Sequence, residues 1–202
     1  MTQIALPLDV RGSAGPVRIV IGAGNRAAAE ALGEPQRWPF HTAVLVGSER
    51  AGKSLLARWF ADGAGGEIID DADRAGETAV FHAWNRAQES GRPLLLTARP
   101  GWQIALPDLA SRLGGSLQLM LEAPDDAMVA ALILAHAEQR RLALEEGAAG
   151  YLAPRIERSY AAIEALVATI DRISLERQAP ATISVWRDAL EAVQGPEQGR
   201  LL

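Results

Sequence analysis

The chain of 202 residues has no cysteine. A disulfide framework and a thiolate metal centre are therefore both excluded, which is the usual picture for a reducing compartment. No apolar run approaches the roughly 20 residues that a membrane-spanning helix needs, and the N-terminus lacks a basic region followed by an apolar core. The expected state is soluble and cytoplasmic, with no membrane partner. Charge of one sign is also missing: the net charge is −5, from 20 basic and 25 acidic residues that are interspersed rather than blocked. There is thus no electrostatic footprint for nonspecific nucleic-acid binding, and any DNA would have to be held by a partner. The three histidines, His41, His82 and His136, share no ligand spacing and have no acidic cluster around them, so a histidine metal centre is not expected.

What is present suits a globular α/β chain: 49% of the residues are hydrophobic and the mean hydropathy is +0.02. That length allows one domain, or a core with a small appendage, and a real apolar core. The organising stretch is Gly47-Ser48-Glu49-Arg50-Ala51-Gly52-Lys53-Ser54, which reads G-x-x-x-x-G-K-S and follows the apolar run Thr42-Ala43-Val44-Leu45-Val46. This is the phosphate-binding P-loop pattern. Its glycines let the backbone curl so that successive N–H groups face a phosphate, and the following helix adds its positive N-terminal end. Lys53 then reaches the outer phosphates and Ser54 ligates Mg²⁺. A chance turn with these letters would need neither a strand before it nor a helix after it. Here residues 54–61 continue as a helix with Leu55, Leu56, Trp59 and Phe60 on its packing side, and Asp62-Gly63 is expected to stop it.

Glu67-Ile68-Ile69-Asp70-Asp71-Ala72-Asp73 is the second half of the expected site, an apolar strand that ends in carboxylates. Asp70 is assigned to the shell of the metal and Asp71 to orienting a water. A charged turn after a strand is the competing reading, and it weakens once a P-loop precedes it.

Upstream, Met1 to Val10 is an apolar peptide isolated by a loop-like linker over residues 11–16. Gln3, Leu6 and Leu8 alternate with other residues around Pro7, which suits an extended segment that drops side chains into pockets on another protein; a frayed tail or an edge strand is the alternative. Gly22-x-Gly24 does not extend to a dinucleotide fingerprint, so a Rossmann reading is rejected. Further helices are expected at 25–32, 75–90, with Val80, Trp84 and Ala87 at helical spacing, and at 106–115, presenting Arg112. Strands are expected at 93–97 and 117–121. Beyond Pro124 the pattern is helical throughout, at 125–141, 145–152, 156–175 and 184–193.

Taken together these segments resemble the DnaA-type AAA+ ATPases of bacterial replication initiation, and more closely their Hda-type regulators, across almost the whole chain. The motifs are the Walker pair and the tail Gln3-Ile4-Ala5-Leu6-Pro7-Leu8, which is similar to a sliding-clamp-binding peptide. Leu106-Pro107-Asp108-Leu109-Ala110-Ser111-Arg112-Leu113 is similar to the family's box VII, and Tyr151-Leu152-Ala153-Pro154-Arg155-Ile156 to the entry of its sensor II helix. The resemblance implies an AAA+ parallel sheet with a C-terminal helical lid, divided as a tail and linker over 1–15, a nucleotide domain over 16–122 and a lid over 123–202. It implies ADP or ATP with Mg²⁺, an arginine finger at Arg112, and as partners the sliding clamp and DnaA, with DNA reached only through the clamp and a homo-oligomer as a further option. The chain stops where a DnaA would continue into a helix-turn-helix domain, which favours the regulator.

Three departures shape the expectation. Only residues 61–66 separate the P-loop helix from the Asp70 strand, which implies four strands, the edge strand being lost. Thr97-Ala98-Arg99-Pro100 lacks the family's acidic residue at sensor I. Ala161 falls where sensor II has its arginine, with Arg158 one helical turn earlier as a substitute nucleotide contact. Weak or no intrinsic ATPase activity follows. Two other readings use the same residues: an autonomous P-loop NTPase or small kinase acting through Lys53, Asp70 and Asp71, and an adaptor or helicase loader that does no chemistry.

Overall fold

The four β-rich runs pair into one parallel sheet. They are β1 (Thr42–Gly47), β2 (Glu67–Ile69), β3 (Leu94–Ala98) and β4 (Leu117–Leu121), in the order β2-β3-β1-β4. The computed structural model describes residues 19–195. The tail residues Gln3 to Leu8 and the linker after them lie outside the described residues.

Strands β1 and β3 are apolar along their length because helices cover both faces of the sheet. Val44, Leu94 and Leu96 face a cluster made by Val80, Ala83, Trp84 and Ala87 of α3 (Glu77–Ser90) and Leu109 and Leu113 of α4 (Pro107–Gly115). The alternate residues Leu45 and Leu95 are fully buried on the other side, where α2 (Lys53–Ala64) buries Leu56, Ala57 and Phe60. Trp38 stacks on Phe60 at 5.0 Å and donates its indole N–H to the carbonyl of Ala31 in α1 (Arg26–Leu32).

The sheet has the four strands that the short 61–66 segment implies. Helix α2, however, does not stop at Asp62-Gly63 but runs through both to Ala64. A glycine inside a helix costs only about 1 kcal/mol, whereas ending one in the left-handed conformation requires a residue that adopts it. That residue is Gly65, at φ 65°, whose N–H donates to the carbonyl of Ala61.

The chain divides into two compact units, the first ending at Glu122 and the second beginning at Ala123. The second is made of α5 (Asp126–Gln139), α6 (Ala148–Leu152), α7 (Tyr160–Arg177) and α8 (Ile183–Gln194). Its core joins Val129 and Ile133 of α5, Leu152 of α6, Ile163, Leu166 and Ile170 of α7, and Val185 and Trp186 of α8. Asp125 caps α5 by accepting from the N–H of Met128. Two helices start later than their apolar patterns suggest. Helix α6 begins after Gly147, which is left-handed at φ 86°. Helix α7 begins after Ser159, whose hydroxyl accepts from the N–H of Ala162 at 3.1 Å, while Ile156 is extended. Arg158 is therefore outside α7 and not one helical turn from Ala161. Among the described residues no helix is long and apolar enough to cross a membrane.

Candidate functional site

The P-loop residues sit where β1 gives way to α2. Gly47 ends β1 against β4, and a Cβ added to it would lie 2.9 Å from Cβ of Leu121, so only glycine fits. Gly52 caps α2 in the left-handed region at φ 85°, a conformation that costs other residues roughly 1–2 kcal/mol. Lys53, the only lysine in the chain, is 7% exposed. Its ammonium donates to the carbonyls of Gly47 at 2.9 Å and Ser48 at 2.8 Å. The loop thus closes around the one cation that its motif requires, next to the N–H groups at the start of a twelve-residue helix.

The acidic half comes from β2. Ile69 pairs with Leu96 and Leu45 with Thr97, so Asp70 lies at the same carboxyl edge as the P-loop, two strands away, or about 10 Å by ordinary strand spacing. Thr97 is fully buried and organises this edge. Its hydroxyl donates to Oδ1 of Asp70 at 2.5 Å and accepts from the N–H of Asp71 at 2.9 Å, while its carbonyl accepts from the N–H of Ala72 at 2.7 Å. Asp71 is left-handed at φ 50° and half exposed. A hydroxyl that satisfies both residues leaves the second carboxylate oxygen of Asp70 for a cation.

Arg99 follows β3 and donates from Nε to Oδ2 of Asp73 at 2.6 Å. Burial pushes the Asp73 carboxyl up, but the hydrogen bond and charge of Arg99 outweigh it and hold the carboxyl below its ordinary range. Arg99 is raised in turn, first by its hydrogen bond to Asp73, then by that residue's charge, with smaller contributions from Asp71 and from Glu49 in the P-loop.

Arg112 stands on α4 away from these groups in sequence and is held by α3. Its Nη1 donates to Oδ1 of Asn85 at 2.8 Å and its Nε to Oδ2 of Asp108 at 3.2 Å. Its Cζ lies 4.7 Å from the ring centroid of Phe81 and 4.4 Å from that of Trp84. Arg158, in the second unit, pairs at 2.7 Å with Asp126 on the surface. Of the residues singled out in the sequence, the structure thus joins the P-loop and Asp70 along one sheet edge. Two partners were missed. Thr97 had a signal, as the polar end of an apolar strand, whereas Asn85 had none.

No protein-family model matches the chain. Among solved structures, domain III of the Thermotoga maritima replication initiation protein DnaA superposes with a TM-score of 0.74 at 15% identity, covering 88% of this chain and 95% of that one. DnaA from Aquifex aeolicus bound to AMPPCP gives 0.59 at 19% identity, over 79% of this chain and 66% of that one. A katanin structure gives 0.68 at 18% identity, over 89% and 85%. At such identities the common property is the fold, here a four-stranded parallel α/β sheet followed by a helical region.

Proposed function

We propose that the chain binds an adenine nucleotide at residues 47–54 and acts as an Hda-type regulator of DnaA, tethered to the sliding clamp through Gln3, Ile4, Leu6, Pro7 and Leu8 and supplying Arg112 to the ATP site of DnaA. The observation that carries the nucleotide reading is Lys53, buried against the carbonyls of Gly47 and Ser48 at the head of α2. Lysine is rarely buried, and here the chain's only lysine is enclosed by backbone oxygens within a phosphate-loop pattern. The AAA+ fold and the AMPPCP carried by one of the similar structures support the choice of an adenine nucleotide.

The residues fit that ligand. Lys53 exchanges its two carbonyl partners for outer phosphate oxygens, and the N–H groups from Ser48 to Ser54 cradle the phosphates. The hydroxyl of Ser54 and the carboxylate of Asp70, fixed by Thr97, would hold Mg²⁺, whose charge offsets that of the phosphates. Asp71 orients a water. With no acid in Thr97-Ala98-Arg99-Pro100 and with Ala161 where the resemblance places an arginine, the chain's own hydrolysis is weak. Its effect lies in what Arg112 does for a partner.

A finger supplied in trans is worth on the order of 10³–10⁵ in rate. Arg112→Ala should keep stabilisation by ADP and ATP and keep clamp binding, yet lose the stimulation of single-turnover hydrolysis by DnaA on a DNA-loaded clamp. Arg112→Lys should fail nearly as badly, because an ammonium lacks the planar two-pronged donor. Unchanged stimulation by Arg112→Ala would remove the arginine from the reaction. Brisk hydrolysis by the purified chain alone would instead favour the autonomous NTPase.

A further inference from the structure

We infer that helix α3 positions Arg112, and that Asn85 is the positioning residue that sets the direction of its guanidinium. The inference rests on the reading of Arg112 as a finger used by a partner. Helices α3 and α4 are separated in the chain by β3, so their contacts are tertiary. Glu77, in the first turn of α3, accepts from the N–H of Ala105 through Oε1 and from the N–H of Leu106 through Oε2, each at 2.8 Å. Leu106 is the N-cap of α4, so Glu77 fixes where α4 starts. Along the same face of α3, at the i+4, i+7 and i+8 positions, follow Phe81, Trp84 and Asn85. All three touch the Arg112 guanidinium.

These contacts do different work. The two rings attract the cation over their faces but leave it free to rotate in its own plane. Asp108 lies one turn earlier on α4 and is 67% exposed, and such a pair restrains a long side chain only slightly. Asn85 is the hydrogen-bond acceptor that reaches Arg112 from another element, and its bond fixes the in-plane direction. Arg112 keeps 28% exposure, so a part of it remains open to a partner. A reacting group displaced by about 1 Å can lose about 100-fold in rate, which makes that direction consequential.

The test compares Asn85→Ala, Asn85→Leu and Asn85→Asp in full-length protein. The first two remove the acceptor, the second while keeping bulk, and the third keeps an oxygen in place. Stimulation of DnaA at saturating protein should fall at least about tenfold in the first two, with the half-saturating concentration and the melting temperature unchanged, and Asn85→Asp should restore it. Arg112→Ala combined with Asn85→Ala should be no worse than Arg112→Ala alone. The side-chain NMR order parameter of Arg112, its signal assigned by loss in Arg112→Ala, should drop in Asn85→Ala. Full stimulation by Asn85→Ala and Asn85→Leu, with Arg112→Ala inactive, would overturn the positioning role while sparing the finger. Full stimulation by Arg112→Ala would instead overturn the finger, and the order parameter would still decide whether Asn85 orients it. A lowered melting temperature in both acceptor-free variants would make Asn85 structural and end the proposal.

Discussion

Thr97 carries more of the acidic half of the site than its neighbours suggest. One buried hydroxyl serves a carboxylate and a backbone N–H at once, so removing it takes a partner from both. Thr97→Val, nearly the same shape, should destabilise the protein by about 1–3 kcal/mol, read from urea unfolding, while Thr97→Ser should cost less. Lys53→Ala acts on the ligand as well as on the fold. Its two carbonyl partners, on Gly47 at the end of β1 and on Ser48, lose their donor, which should cost about 1–3 kcal/mol. Affinity for ADP or ATP should fall by about 10- to 100-fold, the loss of one or two charged hydrogen bonds. Thermal shift with added nucleotide checks it, and a wild type unmoved by any adenine nucleotide would sink the site.

At the scale of elements, α5 contains a pH-dependent contribution to its own packing. Burial disfavours the charged imidazolium of His136 and lowers its pKa below 6.5; the Glu164 carboxylate on α7 opposes this and Arg140 adds to it. Unfolding therefore takes up a proton at a pH where the folded helix does not. The contribution is whole above pH 6.5 and is lost as pH falls through the lowered folded value. The unfolding midpoint should drop between about pH 8 and pH 5, and His136→Gln should flatten that dependence. An equally steep profile in the variant would assign the effect elsewhere.

For the molecule as a whole, each unit has its own core, and the clamp-binding proposal rests on neither. Deleting residues 1–10 should abolish clamp binding and leave the melting temperature and nucleotide stabilisation unchanged. Leu6 and Leu8, as apolar anchors, are each worth roughly 1.5–3 kcal/mol if buried in a pocket. Clamp binding that survives the deletion would place the interface on the folded units.

Contiguous chemistry was legible without coordinates. The proposed phosphate cradle needs its glycines, lysine and serine in one unbroken stretch, so residues 47–54 are legible as a P-loop pattern, and the run into Asp70 is legible for the same reason. Val80, Trp84 and Ala87 declare α3, whereas the four-stranded sheet is implied by the family resemblance together with the short segment 61–66. The starts of α6 and α7 do not follow the apolar pattern, because burial and backbone conformation are separate properties. Ile156 is buried in the same core as Ile163 and continues its periodicity, yet it is extended. What only the tertiary structure decided are the pairs 26 to 29 residues apart: Thr97 with Asp70, Asp73 with Arg99, Asn85 with Arg112, and Glu77 with the start of α4. Each joins polar groups from two elements that meet only once β2 lies along β3 and α3 packs beside α4. No local spacing encodes such a meeting, because the hydrophobic packing that brings the elements together specifies faces and not polar partners.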